Sequence, residues 1–248
     1  MRKVVLFAKT PPSPCQYLPD QQCQLQQELW AELHPADYMG LLKDGWRRAG
    51  PVVYRPDCPD CRRCQSLRVP VDTFLPTQSQ RRAWKRNAGN VEVRIGPPSS
   101  TPQGLELFGR FHSHGHRTKG WPAPDEGDTV IDLLLMNPFR TEEWSYWIDG
   151  RLVGVGYVDV LPEGLSAIYF IHDPEHHRRS LGTFNILMMI DAARRRNLPH
   201  VYLGYYVKGC RSLEYKARFS PNQILTGLDW EPFTSSPSPN GNGRQAPA

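Results

Sequence analysis

The chain has 248 residues, 39 % of them hydrophobic, with a net charge of +5. That is enough for one large or two small folded units with a real core. A mean hydropathy of −0.54 and the lack of any run near the roughly 18 apolar residues of a membrane span exclude a helical membrane protein. The apolar stretch at 4–8 is short for a secretory leader and is followed by Pro11, Pro12 and Pro14. A cytoplasmic location is therefore expected, with the six cysteines reduced.

Charge is uneven along the chain. Residues 1–124 carry 18 Lys and Arg against 10 Asp and Glu, net +8, and residues 125–248 carry 12 against 15, net −3. A basic half suits a polyanionic partner, and an ordinary solvated surface would look the same on charge alone.

In chain order, the proline-rich residues 1–14 read as a lead-in without regular structure. Leu25, Leu29, Leu33, Tyr38, Leu41 and Leu42 predict two helical pieces, the second opened by Pro35. Short strands are expected at 52–54 and 67–71, on either side of Cys58, Cys61 and Cys64. Residues 78–86 hold four cations and no anion. A helix is expected to start at 105–111, before a polar, turn-rich stretch at 112–127. Strands at 145–148 and 152–160 join across Asp149-Gly150, a strong hairpin dipeptide. Residues 234–248 are rich in Ser, Pro, Asn and Gly and are expected to be disordered.

The most informative stretch is 166–219. An apolar run at 167–171 leads through a charged loop into a helix with Leu181, Phe184, Leu187, Met188 and Ala192 on one face. A second apolar run at 200–207 and a basic tail follow. Arg178, Arg179, Ser180 and Gly182 precede or open that helix. Its free first amides, its dipole and two guanidiniums make a phosphate receptor. Strand, anion-binding turn, helix and strand, with a hairpin ahead of them, suit a site for a phosphate-bearing acyl donor.

This order resembles the acyl-CoA N-acyltransferase (GNAT) fold. In detail the chain is similar to the arginyl-tRNA–protein transferase family, and within it to the short bacterial aspartate/glutamate leucyltransferases. The residues that carry the resemblance include Cys15-x-Tyr17-Leu18-Pro19, Gly45-Trp46-Arg47-Arg48, the Cys58/Cys61/Cys64 cluster, Ser79-Gln80-Arg81-Arg82, Asp173-Pro174, Arg178-Arg179-Ser180-Leu181-Gly182, Tyr202-Leu203-Gly204-Tyr205 and Tyr215-Lys216-Ala217-Arg218-Phe219. The resemblance implies a GNAT-like α/β fold with a basic, cysteine-containing N-terminal part (1–124), a catalytic part (125–233) and a tail (234–248). It also implies transfer of an amino acid, leucine in the bacterial subgroup, from its tRNA to proteins beginning with Asp or Glu, marking them for N-degron proteolysis.

On that basis Arg178, Arg179, Ser180, Gly182 and Tyr205 are candidates for the donor end. Arg81, Arg82, Lys85, Arg86, Arg47 and Arg48 are candidates for the tRNA body, with Trp84 either stacking on a base or anchoring its helix. The acidic acceptor side chain calls for cations, and Lys208, Arg211, Lys216 and Arg218 are available, with Tyr169 and Tyr206 as donors or wall residues. The chemistry requires no cofactor. Zinc or an iron–sulfur cluster on Cys15, Cys58, Cys61 and Cys64 is chemically open. Related eukaryotic enzymes have a further cysteine where this chain has Leu18, however, so reduced, half-buried thiols are the expectation. His112, His114 and His116 are expected in a solvated loop, as are His172, His176 and His177. Two other readings fit parts of the chain: an acyl-CoA N-acetyltransferase, and a non-catalytic zinc-stabilised RNA-binding module.

Overall fold

The computed structural model describes residues 4–121 and 133–233. Strand β1 (Val4–Lys9) lies in the expected lead-in, and the short strands β2 (Ser13–Pro14) and β3 (Gln22–Cys23) form a small ribbon. Then come β4 (Leu25–Trp30), α1 (Pro35–Lys43), β5 (Arg47–Ala49) and β6 (Val52–Pro56). They form a four-stranded sheet ordered β1-β4-β6-β5. The first helix expected from Leu25, Leu29 and Leu33 is thus a strand. Its backbone is paired on both sides, to β1 and to β6, and that pairing overrides a helical spacing of leucines. The second expected helix is present and opens on Pro35.

The larger layer starts with β7 (Gln65–Pro70), α2 (Gln78–Asn87), β8 (Glu92–Gly96) and α3 (Pro102–Lys119). It continues through β9 (Thr141–Ile148), β10 (Arg151–Leu161), β11 (Gly164–His172), a 3-10 turn (Pro174–Arg179) and α4 (Leu181–Arg195). β12 (His200–Tyr206), α5 (Arg211–Glu214), a second 3-10 turn (Tyr215–Arg218), β13 (Gln223–Thr226) and β14 (Asp229–Pro232) complete it. The eight-stranded sheet is ordered β14-β13-β7-β12-β11-β10-β9-β8. It draws β7 and β8 from before residue 124 and the other strands from after it. The tail at 234–248 lies outside the described residues.

Asp149 and Gly150 both have positive φ, 49° and 77°, the conformation a tight hairpin turn demands. The alternation in β10 sets the two faces of the sheet. Val155 and Tyr157 pack with Leu107 and Phe108 of α3, whereas Gly156 faces α4 so closely that an added Cβ would stand 2.9 Å from Asn185 Oδ1. Trp144, Tyr146, Phe184 and Met189 fill the core on the α4 side. Helix α3 corrects a second expectation, since residues 112–119 continue it instead of forming a loop. Thr101 caps it, Pro102 opens it, and Gly120 closes it in the left-handed region.

The feature that makes a site is where the parallel pair fails. β11 and β12 pair only through Gly164↔His200, Leu165↔Val201 and Ser166↔Tyr202. Beyond those residues they part, and β11 changes from buried to half-buried over 167–170. A register shift between Tyr157 and Val158 on the β10 side accompanies the divergence, as bulges do where strands bend.

Candidate active site at the fork of the central sheet

The 3-10 turn leaves the end of β11 and delivers the chain to α4. Asp173, fully buried, holds the turn by accepting from the Glu175 amide at 3.0 Å. It also pairs with Arg151 at 3.0 Å and Arg110 at 3.2 Å. Ser180 adopts the left-handed conformation and its side chain does not cap α4, so the first helical amides remain available to an anion. A Cβ at Gly182 would meet nothing closer than Phe170 at 4.0 Å, leaving the approach open.

Helix α2 docks onto this turn. Asn87 Nδ2 donates to the Arg179 carbonyl at 2.8 Å, and Arg86 donates to the Arg178 carbonyl. At its other end Thr77 and Gln80 form a reciprocal cap, and Gln80 Nε2 donates to the Arg218 carbonyl at 3.0 Å. Trp84 packs edge-on against Phe184, the anchoring role of the two open to it. Arg81, Arg82, Lys85 and Arg86 face solvent, and none has an ion-pair partner among the described residues. Arg86 and Asn90 share an open cleft with Arg178 and Arg179. Two groups of cations far apart in sequence thus form one surface.

Inside the fork are two more cations. Arg47, 7 % exposed, donates from Nη1 to Ser166 Oγ at 3.2 Å and from Nη2 to the Ala167 carbonyl. It lies against β12 where Gly204, at φ +79°, leaves room: a Cβ there would be 3.4 Å from Nη2. Lys216 Nζ donates to the carbonyl of the next residue, Tyr205, at 3.1 Å. Desolvation first, then the neighbouring Arg47 charge, pushes the Lys216 ammonium down to a pKa of about 7. Sequence reasoning assigned Arg47 to tRNA because Arg47 and Arg48 look like surface charge, but both are buried. Arg48 is sealed against Asp159, with Thr141 Oγ1 at 2.8 Å and Asn137 Oδ1 at 2.9 Å, and joins the two sheets. Neither presents a surface to phosphates.

The other candidates separate clearly. Lys208, Arg211 and Arg218 are exposed. Tyr206 is buried against Phe233. The Tyr205 hydroxyl donates to the Gly45 carbonyl at 3.1 Å, so this side chain fixes β12 against the smaller sheet. Tyr169, on the diverging part of β11, shares a 2.7 Å hydrogen bond with His112 Nε2 of α3. Burial lowers the pKa of His112 and favours the neutral imidazole. This pair was missed because His112 was expected in a loop; the Thr-Pro signal at 101–102 was the clue that helix runs through it.

All six cysteines are free. Cys15, Cys61 and Cys64 pack beside Leu18, Tyr205 and Cys210, while Cys58 Sγ accepts from the Gln24 amide at 3.5 Å. Burial, then the surrounding thiols, pushes Cys64 up to about 12 and keeps it protonated. Among the described residues no group of three or more His, Cys, Asp or Glu is arranged to hold a metal ion. No described helix is long and apolar enough to cross a membrane.

Comparison with known proteins agrees with this geometry. In fold the chain is similar to the crystal structure of FemX, with a TM-score of 0.52 at 9 % identity, over 90 % of this chain and 86 % of that one. The hairpin, the forked parallel pair and the intervening turn and helix make the fold GNAT-like. Among sequences, an aspartate/glutamate leucyltransferase of Marinobacter nauticus is 37 % identical over 95 % of this chain and 98 % of its own length. One from Chromobacterium violaceum is 35 % identical over 91 % and 93 %. Residues 13–82 match the N-terminal region, and residues 103–226 the C-terminal region, that define the arginine-tRNA-protein transferases. On this breadth of similarity, the chain belongs to the arginine-tRNA-protein transferase family.

Proposed function

We propose that this protein transfers leucine from leucyl-tRNA to the α-amine of proteins that begin with Asp or Glu, in the cytoplasm, and so marks them for degradation. It is an aminoacyl-tRNA–protein transferase. The observation that carries the donor assignment is the docking of α2 on the 178–182 turn. A coenzyme needs only the turn, whereas a tRNA needs a longer basic track leading to it. Arg81, Arg82, Lys85 and Arg86 would meet the tRNA backbone. Arg178, Arg179 and the α4 amides would hold its terminal phosphates, with Ser180 and Gly182 shaping the turn. The aminoacyl ester would then enter the fork between β11 and β12.

The reaction asks little beyond positioning. The ester is already activated, and the attacking amine, with a reference pKa of about 7.7–8.0, is partly neutral near pH 7. Attack on the ester carbonyl forms the new amide bond, and the ribose hydroxyl leaves with the proton shed by the amine. Alignment of the two reactants can supply several kcal/mol. Lys216, Lys208, Arg211 and Arg218 are the cations that would serve the acceptor, and Tyr169 with His112 would line its path along β11. Tyr206, sealed by Phe233, would support the wall only.

The test is to incubate the protein with leucine-charged tRNA and peptides beginning with Asp, Glu or Ala. Leucine should appear on the acidic peptides and be lost after ribonuclease treatment. Transfer from acetyl-CoA in its place would reject the reading.

A further inference from the structure

We infer that Arg47 and Lys216 together form the seat for the acceptor's side-chain carboxylate, and that this pair sets the preference for acidic N-termini. The inference rests on the proposed transfer of an amino acid to Asp or Glu, and it assigns that selectivity to two residues distant in sequence and to none of the exposed cations Lys208, Arg211 and Arg218.

The argument is one of missing charge. A buried cation ordinarily has a carboxylate, because desolvating it otherwise costs several kcal/mol. Arg48 follows that rule through Asp159. Arg47, buried, and Lys216, half-buried, do not: among the described residues neither has an acidic side chain within ion-pair reach. Their partners are neutral oxygens, the Ser166 hydroxyl and the Ala167 and Tyr205 carbonyls. The phenols of Tyr38, Tyr54 and Tyr205 lie near Arg47. Their pKa values are raised by burial, so they stay neutral and offset nothing.

The two cations are also placed to act together. Arg47 spans the mouth of the fork from β11 to Gly204 of β12, and Lys216 is tied to the adjacent Tyr205. A planar guanidinium and an ammonium close enough to repel one another suit one carboxylate between them. Ser166 and Tyr169 are three positions apart on β11, roughly 10 Å along the strand. An acceptor lying along β11 would have its N-terminal amine between the carboxylate seat and the Tyr169–His112 pair.

The experiment measures leucine transfer to peptides differing only in a first residue of Asp or Asn, with wild type, Lys216→Met, Arg47→Gln and, as a surface control on β1, Lys9→Met. Wild type should favour Asp by about 100-fold or more in kcat/KM. Lys216→Met and Arg47→Gln should raise KM for the Asp peptide about 30-fold or more, bring the Asp/Asn ratio close to unity, and leave KM for the charged tRNA unchanged. Lys9→Met should keep the wild-type ratio. If Arg47→Gln fails to fold, Lys216→Met alone decides. An Asp/Asn ratio preserved in the folded variants would overturn the inference while leaving leucine transfer intact. No transfer by wild type to any peptide would instead reject the function on which the inference rests.

Discussion

Arg47 and Arg48 are neighbours on one short strand, both nearly inaccessible to solvent, yet they meet opposite environments. Arg48 faces Asp159 on β10 and is saturated by carboxylate, hydroxyl and amide oxygens. Arg47 faces the fork, has no anion among the described residues, and adds to the field that depresses Lys216. A buried ion pair that is complete contributes to holding the sheets together. A buried cation without its anion costs stability in the free protein, and that cost makes sense where a ligand supplies the missing charge.

The comparison can be broken from either side. The largest effect should come from Arg48→Ala, which leaves Asp159 buried and unpaired. Loss of about 3–5 kcal/mol is expected in urea unfolding, with all activity falling alongside the fold; a change under 1 kcal/mol would show that the pair is dispensable. Next comes Arg178→Glu with Arg179→Glu, which should lower kcat/KM for charged tRNA about 100-fold and flatten its salt dependence, with acceptor KM unmoved. Equal loss on both substrates would detach the turn from the donor.

Lys216 links the comparison to pH. Its folded-state pKa, about 7, is below the ordinary 10.5, so between those values the folded protein binds fewer protons than the unfolded chain. Stability from this group therefore rises as pH increases through that window. Acceptor binding runs the other way: as Lys216 loses its proton above pH 7, KM for an Asp peptide should rise, up to about tenfold per pH unit. The dependence should be absent in Lys216→Met. That variant should also gain about 1 kcal/mol at pH 6, read by thermal unfolding, since an apolar side chain replaces an uncompensated, half-buried charge. The smallest expected effect is from Tyr169→Phe, about 3–10-fold in kcat with little change in KM. A larger change in KM than in kcat would make Tyr169 a binding residue.

Much of the larger layer was legible from sequence because its signals are local. Asp149-Gly150 fixes the hairpin, and the spacing from Leu181 to Ala192 fixes α4. Arg178, Arg179 and Gly182 mark the turn by residue type alone. What was not legible depends on long-range pairing. Leu25, Leu29 and Leu33 repeat at a helical interval, but β1 and β6 claim the backbone from both sides. The cation pair was split between two roles because 169 positions separate Arg47 from Lys216 in the sequence, and nothing local says that an arginine after Gly45-Trp46 turns inward. Gly204 was the available clue: a glycine within an otherwise bulky strand, kept where Arg47 approaches.

The most direct measurement is the pKa of Lys216 itself, followed by NMR of the side-chain amine in the free protein and with a saturating peptide that begins with Asp or Asn. The account predicts about 7 in the free protein, a rise of a unit or more with the Asp peptide as its carboxylate completes the site, and no rise with the Asn peptide. A free-protein value near the ordinary lysine range, or a value that the Asp peptide leaves unchanged, would contradict it.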